Sequence, residues 1–547
     1  LGLLAVLVAS LVILRSIEGQ RQPVRLEETT SPVVESASPS ESGIDLGEFE
    51  DSPVGELYAA ASELSSLWHE RDAVALYERA VRSDSSFYDA WVRLVEGFSH
   101  PLVGREDDAR AALVQASKCR PSDADTVFLA GLERLYIVRD YVAAAAMLER
   151  AAQSDPAPRD VDFYRAVALF LSGRVDDAQE LIRDTDANGD RAGRLAELEI
   201  RCLLAAGESE KANEKARELA KLHAEEPYPY VVLALVEQSE GRGETAVEFC
   251  NNALVLDSKF VPAILARSNL YAAGGDFAAA RVSFEKLLMF DDPLLRAFGH
   301  EGIGYVDLLS GRFADAQDQL DQAIRSAMLA GAVRRGLTIS TQLVGYLCEL
   351  GRGDAAADVV ERWVAGFGEI PVALAGLRID VLRGDLELAG NTLGSIQSSK
   401  NWSEWAGMMS IDTVEMMALV HVRAGEYDAA LSILTAHPGT AAGRSGSRMF
   451  LKGYASFDSG MAEAAAGAFN EVGRLLYGLE LPYHGDAVQF VRSRFYLGEA
   501  SIAAGNESDA GDYYQSFLSY WGQADWDIPA VARARERLDN ISNSPSQ

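Results

Sequence analysis

Small and bulky apolar side chains recur along this chain at helical intervals. An alanine is followed four residues later by a bulky residue, and three later by a second small or apolar one. Examples are Ala73/Tyr77/Ala80, Ala109/Leu113/Ala116, Ala144/Leu148/Ala151, Ala246/Cys250/Ala253, Ala280/Phe284/Leu287 and Ala316/Leu320/Ala323. An i, i+4, i+7 interval places all three on one face of an α-helix. Five residues before the alanine stands a glycine, as in Gly173/Ala178, Gly207/Ala212, Gly241/Ala246, Gly275/Ala280, Gly311/Ala316, Gly351/Ala356, Gly384/Ala389, Gly425/Ala430, Gly460/Ala465 and Gly505/Ala510. The glycine predicts the end of a first helix, because the chain leaves it through left-handed backbone. The alanine predicts a second helix packed closely on the first. Seven residues before the turn position the first helix carries a small residue: Ala61, Ala166, Ala234, Ser268, Gly304, Ala418, Gly453 and Gly498. The predicted elements are therefore antiparallel helix pairs. The first four glycines lie 34 residues apart each time, and a fixed period of this length predicts stacked repeats.

These residues resemble the tetratricopeptide repeat, an antiparallel helix pair of about 34 residues. The second repeat matches best, with Trp91, Leu94, Phe98, Ala109, Leu113, Ala116 and Pro121 at motif positions and a short insert, His100–Glu106, near its turn. The resemblance runs over roughly residues 54–540 and is strongest over 125–325. Later glycine spacings of 36, 40, 33, 41, 35 and 45 predict longer helices or loops. Asp307, Ser456 and Ser501 stand where a bulky residue is usual late in the first helix. The resemblance implies an all-α fold, a right-handed α-solenoid of about 13 antiparallel helix hairpins after an N-terminal hydrophobic helix. The expected divisions are a regular array over 54–328, a divergent array with capping helices over 329–540, and a disordered tail over 541–547.

Composition narrows the functional classes. A single compact core of 547 residues would be unusual, whereas a repeat array buries each unit on its neighbours. With 82 acidic and 50 basic residues the formal net charge is −32, which argues against nucleic-acid binding and suits solubility or a basic partner. The arginine groups Arg334/Arg335 and Arg533/Arg535/Arg537 are expected to be solvated faces. Cys119, Cys202, Cys250 and Cys348 fall in different repeats with no CxxC, so no disulfide framework is expected. Cys250, at the bulky core position, is expected to be buried.

The chain opens on an apolar run, Leu1–Leu14, ended by Arg15. A spanning helix needs about 20 apolar residues. Residues 1–15 are read as the last part of a transmembrane helix, with a truncated signal peptide as the alternative. Residues 16–53, rich in Ser, Pro and Glu, are read as a flexible tether. Arg15, Arg21 and Arg25 would favour a cytoplasmic flank. The order of span, tether and array, with the stretches Ala75–Leu94 and Tyr513–Leu538, resembles the C-terminal region of bacterial eukaryotic-like transmembrane serine/threonine kinases, or of relatives with a winged-helix regulator in place of the kinase. That resemblance implies a membrane-anchored array, extracytoplasmic, with an effector preceding Leu1.

Candidate chemistry is sparse. The seven histidines show no metal-binding spacing, and no kinase, P-loop, G-x-S-x-G or zinc motif occurs. His421 is read as a packed or capping residue. Asp184-Thr-Asp186-Ala-Asn188-Gly189-Asp190 matches the opening of a calcium loop, but Leu195 occupies the place of its closing glutamate, so an acidic capped turn is favoured. The expectation is no catalysis by this chain, no cofactor and no metal. First helices of stacked pairs line the concave side of such arrays. In the tetratricopeptide family a few positions on them form the groove, and register transfers these to Phe163, Phe170, Glu197, Arg201, Tyr228, Val231, Leu235, Asn269, Phe298, Glu301 and Tyr305. Aromatics among polar groups suit a peptide segment; packing between repeats is the competing role for each. Asn269 occupies the clamp-asparagine position of chaperone-tail binders, but Leu265 replaces the lysine, so no carboxylate clamp is expected. Trp363, Phe367, Trp402 and Trp405 are expected in the core. The function expected is a membrane-anchored scaffold binding protein or peptide segments, the sensing or docking region of a bacterial signalling protein. The alternatives are the regulatory half of a serine/threonine kinase and an exported ligand-binding array.

Overall fold

The structure, a computed structural model, describes residues 52–119, 122–185, 191–399, 405, 409, 412–437, 446–475 and 487–543. Helices and their turns account for the regular structure throughout, and no β-strand occurs among the described residues. The helices follow as antiparallel pairs: α1 (Val54–Ser66) with α2 (Glu70–Ser83), α3 (Tyr88–Ser99) with α4 (Glu106–Cys119), and α5 (Asp123–Leu132) with α6 (Tyr141–Ala152). Next come α7 (Val161–Leu171) with α8 (Val175–Asp184), α9 (Ala192–Ala205) with α10 (Ser209–Leu222), α11 (Tyr228–Ser239) with α12 (Gly243–Leu256), and α13 (Val261–Ala273) with α14 (Phe277–Leu288). Longer helices follow in α15 (Pro293–Leu309) with α16 (Phe313–Leu329) and α17 (Val333–Glu349) with α18 (Gly353–Val359), the last continued by a wide π turn over Val360–Val364. The array ends with α19 (Glu369–Arg383) and α20 (Leu386–Ser398), α21 (Thr413–Ala424) and α22 (Tyr427–Ala436), α23 (Gly446–Asp458) and α24 (Ala462–Leu475), α25 (Ala487–Ala503) and α26 (Glu507–Trp521), and the closing helix α27 (Pro529–Asn543).

The turn register is realised in backbone geometry. The turn glycines from Gly173 to Gly505 have φ between 73° and 85°. In two pairs the same register position, five residues before the core alanine, is held by Trp68 and Arg139, with φ of 67° and 61°. The small position of the first helix is explained by its partner. A Cβ at Gly498 would sit 2.6 Å from the Tyr514 ring, and Tyr514 is the bulky residue of its own pair. The core alanines Ala73, Ala144, Ala246, Ala316, Ala430 and Ala510 are fully buried, as is Cys250.

Several expectations are corrected or fall elsewhere. Among the described residues no helix is long and apolar enough to cross a membrane, which overturns the membrane-anchored localisation; residues 1–15 and most of the tether lie outside the described residues. The end of α27 carries helix to Asn543, into the segment expected as tail. Trp363, Phe367 and Trp405 pack against the core; Trp402 lies outside the described residues, as do residues 186–190 of the acidic turn. The Arg334/Arg335 group is not a solvated face, whereas Arg533 and Arg535 are exposed as expected. Arg334 is 5% exposed, Arg335 pairs with buried Glu301, and Arg533 and Arg537 both reach buried Glu499.

Candidate functional site

The first helices α7, α9, α11, α13 and α15 carry the residues expected to form a groove. Six of these are buried: Phe163, Tyr228, Val231, Phe298, Glu301 and Tyr305. Five are half-buried: Phe170, Glu197, Arg201, Leu235 and Asn269. The turn between α1 and α2 lies over the N-terminal ends of the later first helices. Trp68 Nε1 donates to Glu197 Oε2 at 3.0 Å, the Trp68 and Tyr228 rings are 6.1 Å apart, and His69 meets Phe260 edge-on at 5.5 Å. Arg71 reaches Asp292 at the start of α15. Tyr228, at the start of α11, is covered in this way, while Arg201, Leu235 and Asn269, one per pair and 34 residues apart, lie further along and keep some exposure; Glu301 and Tyr305, also further along their helix, are buried.

Inside this first turn of the array is a cluster of charged groups. Arg191 binds Glu96 at 2.8 Å and lies 3.4 Å from Asp160, and Arg93 reaches the same Asp160 at 3.2 Å. Arg194 binds Glu70 at 2.8 Å, and Arg201 binds Glu197 at 2.8 Å. Tyr164 donates to Glu96 at 3.2 Å, and the Arg191 guanidinium stacks 4.3 Å over the Phe163 ring. Burial would raise the pKa of Glu96, but Arg191, Arg194 and Arg93 together outweigh it and hold the carboxyl at about 2. Glu70 goes the other way, because burial outweighs the pull of Arg194. His100, in the insert, is pushed down to about 3 by burial and by Arg194. Its Nδ1 accepts the Leu102 N–H at 3.3 Å, which requires that nitrogen to be unprotonated. The four carboxylates face four guanidiniums, so the cluster neutralises itself. It is a built-in brace across α2, α3, α7 and α9.

A second charged interior lies later in the chain. Glu349 at the end of α17 pairs with Arg492 on α25 and lies 4.0 Å from Arg378 on α19. Arg378 also pairs with Glu415 on α21. A small cavity opens here, lined by Cys348, Glu349, Arg378, Val381, Leu382, Leu419 and Arg423. Burial pushes the Cys348 thiol up to about 12, so it is no nucleophile at neutral pH. His421 Nδ1 lies 2.7 Å from Glu426 across the α21–α22 turn. Among the described residues no group of three or more His, Cys, Asp or Glu is placed to hold a metal ion.

Trp68, Arg93 and Arg191 were not among the residues transferred by register. The signal for Trp68 lay in the turn register, since it occupies a glycine seat. Nothing in the sequence pairs Arg93 with Asp160.

Residues 135–192 match the protein family described as Tetratricopeptide repeat. No curated protein matches the chain. Among solved structures, the crystal structure of yeast Tom70 is similar at 12% identity, covering 89% of this chain and 95% of that one, with a TM-score of 0.31. The APC/C hetero-tetramer Cut9-Hcn1 is similar at 12% identity, covering 90% and 98%, with a TM-score of 0.29. Naa15/Naa10 bound to HypK-THB is similar at 14% identity, covering 91% and 93%, with a TM-score of 0.24. The family match over residues 135–192 thus falls within a longer array of helix pairs that keeps the same turn register.

Proposed function

We propose that this chain is a protein-interaction scaffold, an array of about 13 helix pairs that holds a segment of a partner protein along its first helices. The observation that carries the reading is the row Arg201, Leu235 and Asn269. It presents one half-buried side chain per pair at a constant 34-residue interval: an arginine already paired with Glu197, one apolar group and one amide. Phe170 and Glu197 flank the row. An extended segment crossing stacked repeats meets such a surface at regular steps. Phe163, Tyr228, Val231, Phe298, Glu301 and Tyr305 serve this site by fixing the helices beneath it. Use as a docking region of a larger signalling protein is one role open to such a scaffold.

The test places a photocrosslinking amino acid at Leu235 and, as control, at exposed Val142 on a second helix. A protein partner captured at 235 and absent at 142 is expected, and Asn269→Ala with Leu235→Ala should reduce capture while the melting temperature stays within a degree or two. Equal capture at both positions would sink the reading. Tyr228→Ala is a poor probe, because loss of a side chain 1% exposed removes about 3 kcal/mol or more of packing.

A further inference from the structure

Arg334 stands on the first turn of α17 at the seam where that helix meets α4 and the stretch before α6. The guanidinium is 5% exposed. Its Nη2 donates to the Ile137 carbonyl. Nε lies 3.6 Å from Glu106 Oε1, too far for a hydrogen bond, and both Nε and Nη1 have no accepting atom. An unmet buried donor on a charged group is expensive. More positive charge faces it. Arg139 and Arg110 act on Arg334 alongside Glu106, and together with burial the two arginines bring its pKa down to about 10. In a chain of net charge −32, the positive charges of Arg139 and Arg110 both act on a buried guanidinium at this seam.

The backbone supplies an independent observation. Arg139 occupies a turn seat that glycine holds in most later pairs, at φ 61°, and it follows a π turn over Glu133–Val138. A non-glycine residue pays for left-handed backbone, and such strain collects at binding sites, as do π turns. The arginine is exposed, so packing does not explain its presence.

We propose that the seam formed by Arg334, Arg139 and Arg110 is a binding site for a phosphate-class oxyanion. Arg334 supplies the buried donors, Arg139 closes over the ion from the surface, and Arg110 adds to the positive potential. The site shares no residue with the inner-helix row and does not depend on it.

The full chain is melted at pH 7 in rising sodium phosphate and in sodium chloride of equal ionic strength, and phosphate binding is titrated by calorimetry. A saturable rise in melting temperature in phosphate alone is expected. Arg139→Gly, which installs the residue used at neighbouring turns, should fold and should raise the half-saturating concentration at least fivefold. Arg334→Met should raise it at least tenfold. A phosphoserine peptide and its unphosphorylated twin distinguish the sources: binding tenfold tighter than inorganic phosphate assigns the site to a modified protein segment, equal binding to the free ion, and either supports the site. Identical melting in the two salts overturns it, and so does an unchanged titration in Arg139→Gly, whether or not Arg334→Met folds.

Discussion

The packing rule of this array is visible in single residues. Tyr514 is fully buried, its hydroxyl donates to Glu499 at 2.6 Å, and its ring fills the space above Gly498. Gly498→Ala therefore has nowhere to put a methyl group and should cost about 1–3 kcal/mol. Gly376, inside α19, has nothing within 4 Å of the same atom, so Gly376→Ala should gain about 0.5–1 kcal/mol from helix propensity. Paired urea unfolding of the two variants tests whether space, and not residue type, decides the sign. His100 gives a pH signature. Its folded pKa of about 3 lies below the ordinary value of about 6.5, so the unfolded chain takes up a proton first as pH falls. Its contribution is fully present above about pH 6.5 and is lost progressively down to about pH 3. Between pH 7 and pH 5, above most carboxylate titration, His100→Asn should lose less stability than the parent. An identical loss would place the imidazole in solvent.

At the scale of elements, the glycine and alanine register was readable from the chain because each helix pair is built from local contacts. The turn glycine, the small residue before it and the alanine after it all lie within about a dozen residues, so a periodic pattern reports them. The inserts were not readable in this way. The stretch His100–Glu106 looks like a departure from the repeat, yet it carries Leu102 into the core cluster that also holds Leu294 and Ala332. Aromatic residues transferred as groove positions were legible as first-helix residues, but their burial was not. Tyr228 is covered by Trp68, 160 residues earlier in the chain, and no local pattern encodes that cover. A similar long-range device ends the array. After α26, Asp525 accepts from the N–H groups of Phe313 and Ala314 at 2.9 and 3.0 Å and so caps α16 from outside. Asp525→Ala should cost about 1 kcal/mol and speed hydrogen exchange at amides 313–314. Unchanged exchange there would mean that the cap is not formed in solution.

At the largest scale, the later part of the array, from α15 and α16 to α26, is joined end to end. Trp521 donates to the Leu308 carbonyl at 3.0 Å, and its ring meets Phe313 edge-on at 5.1 Å. Arg492 crosses the interior to Glu349. In an open solenoid each repeat feels only its neighbours, and trimming the end disturbs little beyond the next pair. Here, removal of residues 507–547 should lower hydrogen-exchange protection in 308–330 as well as in α25, with the intervening α21–α22 pair less affected. Loss confined to α25 would show that the ring contact contributes nothing. The sequence by itself determined the helix pairs, their turns and their order, because those follow from contacts a few residues apart that repeat along the chain. The tertiary structure alone decided which first-helix residues are covered, how buried charges neutralise one another and where arginines gather at a seam, because each depends on segments from different helix pairs meeting in space.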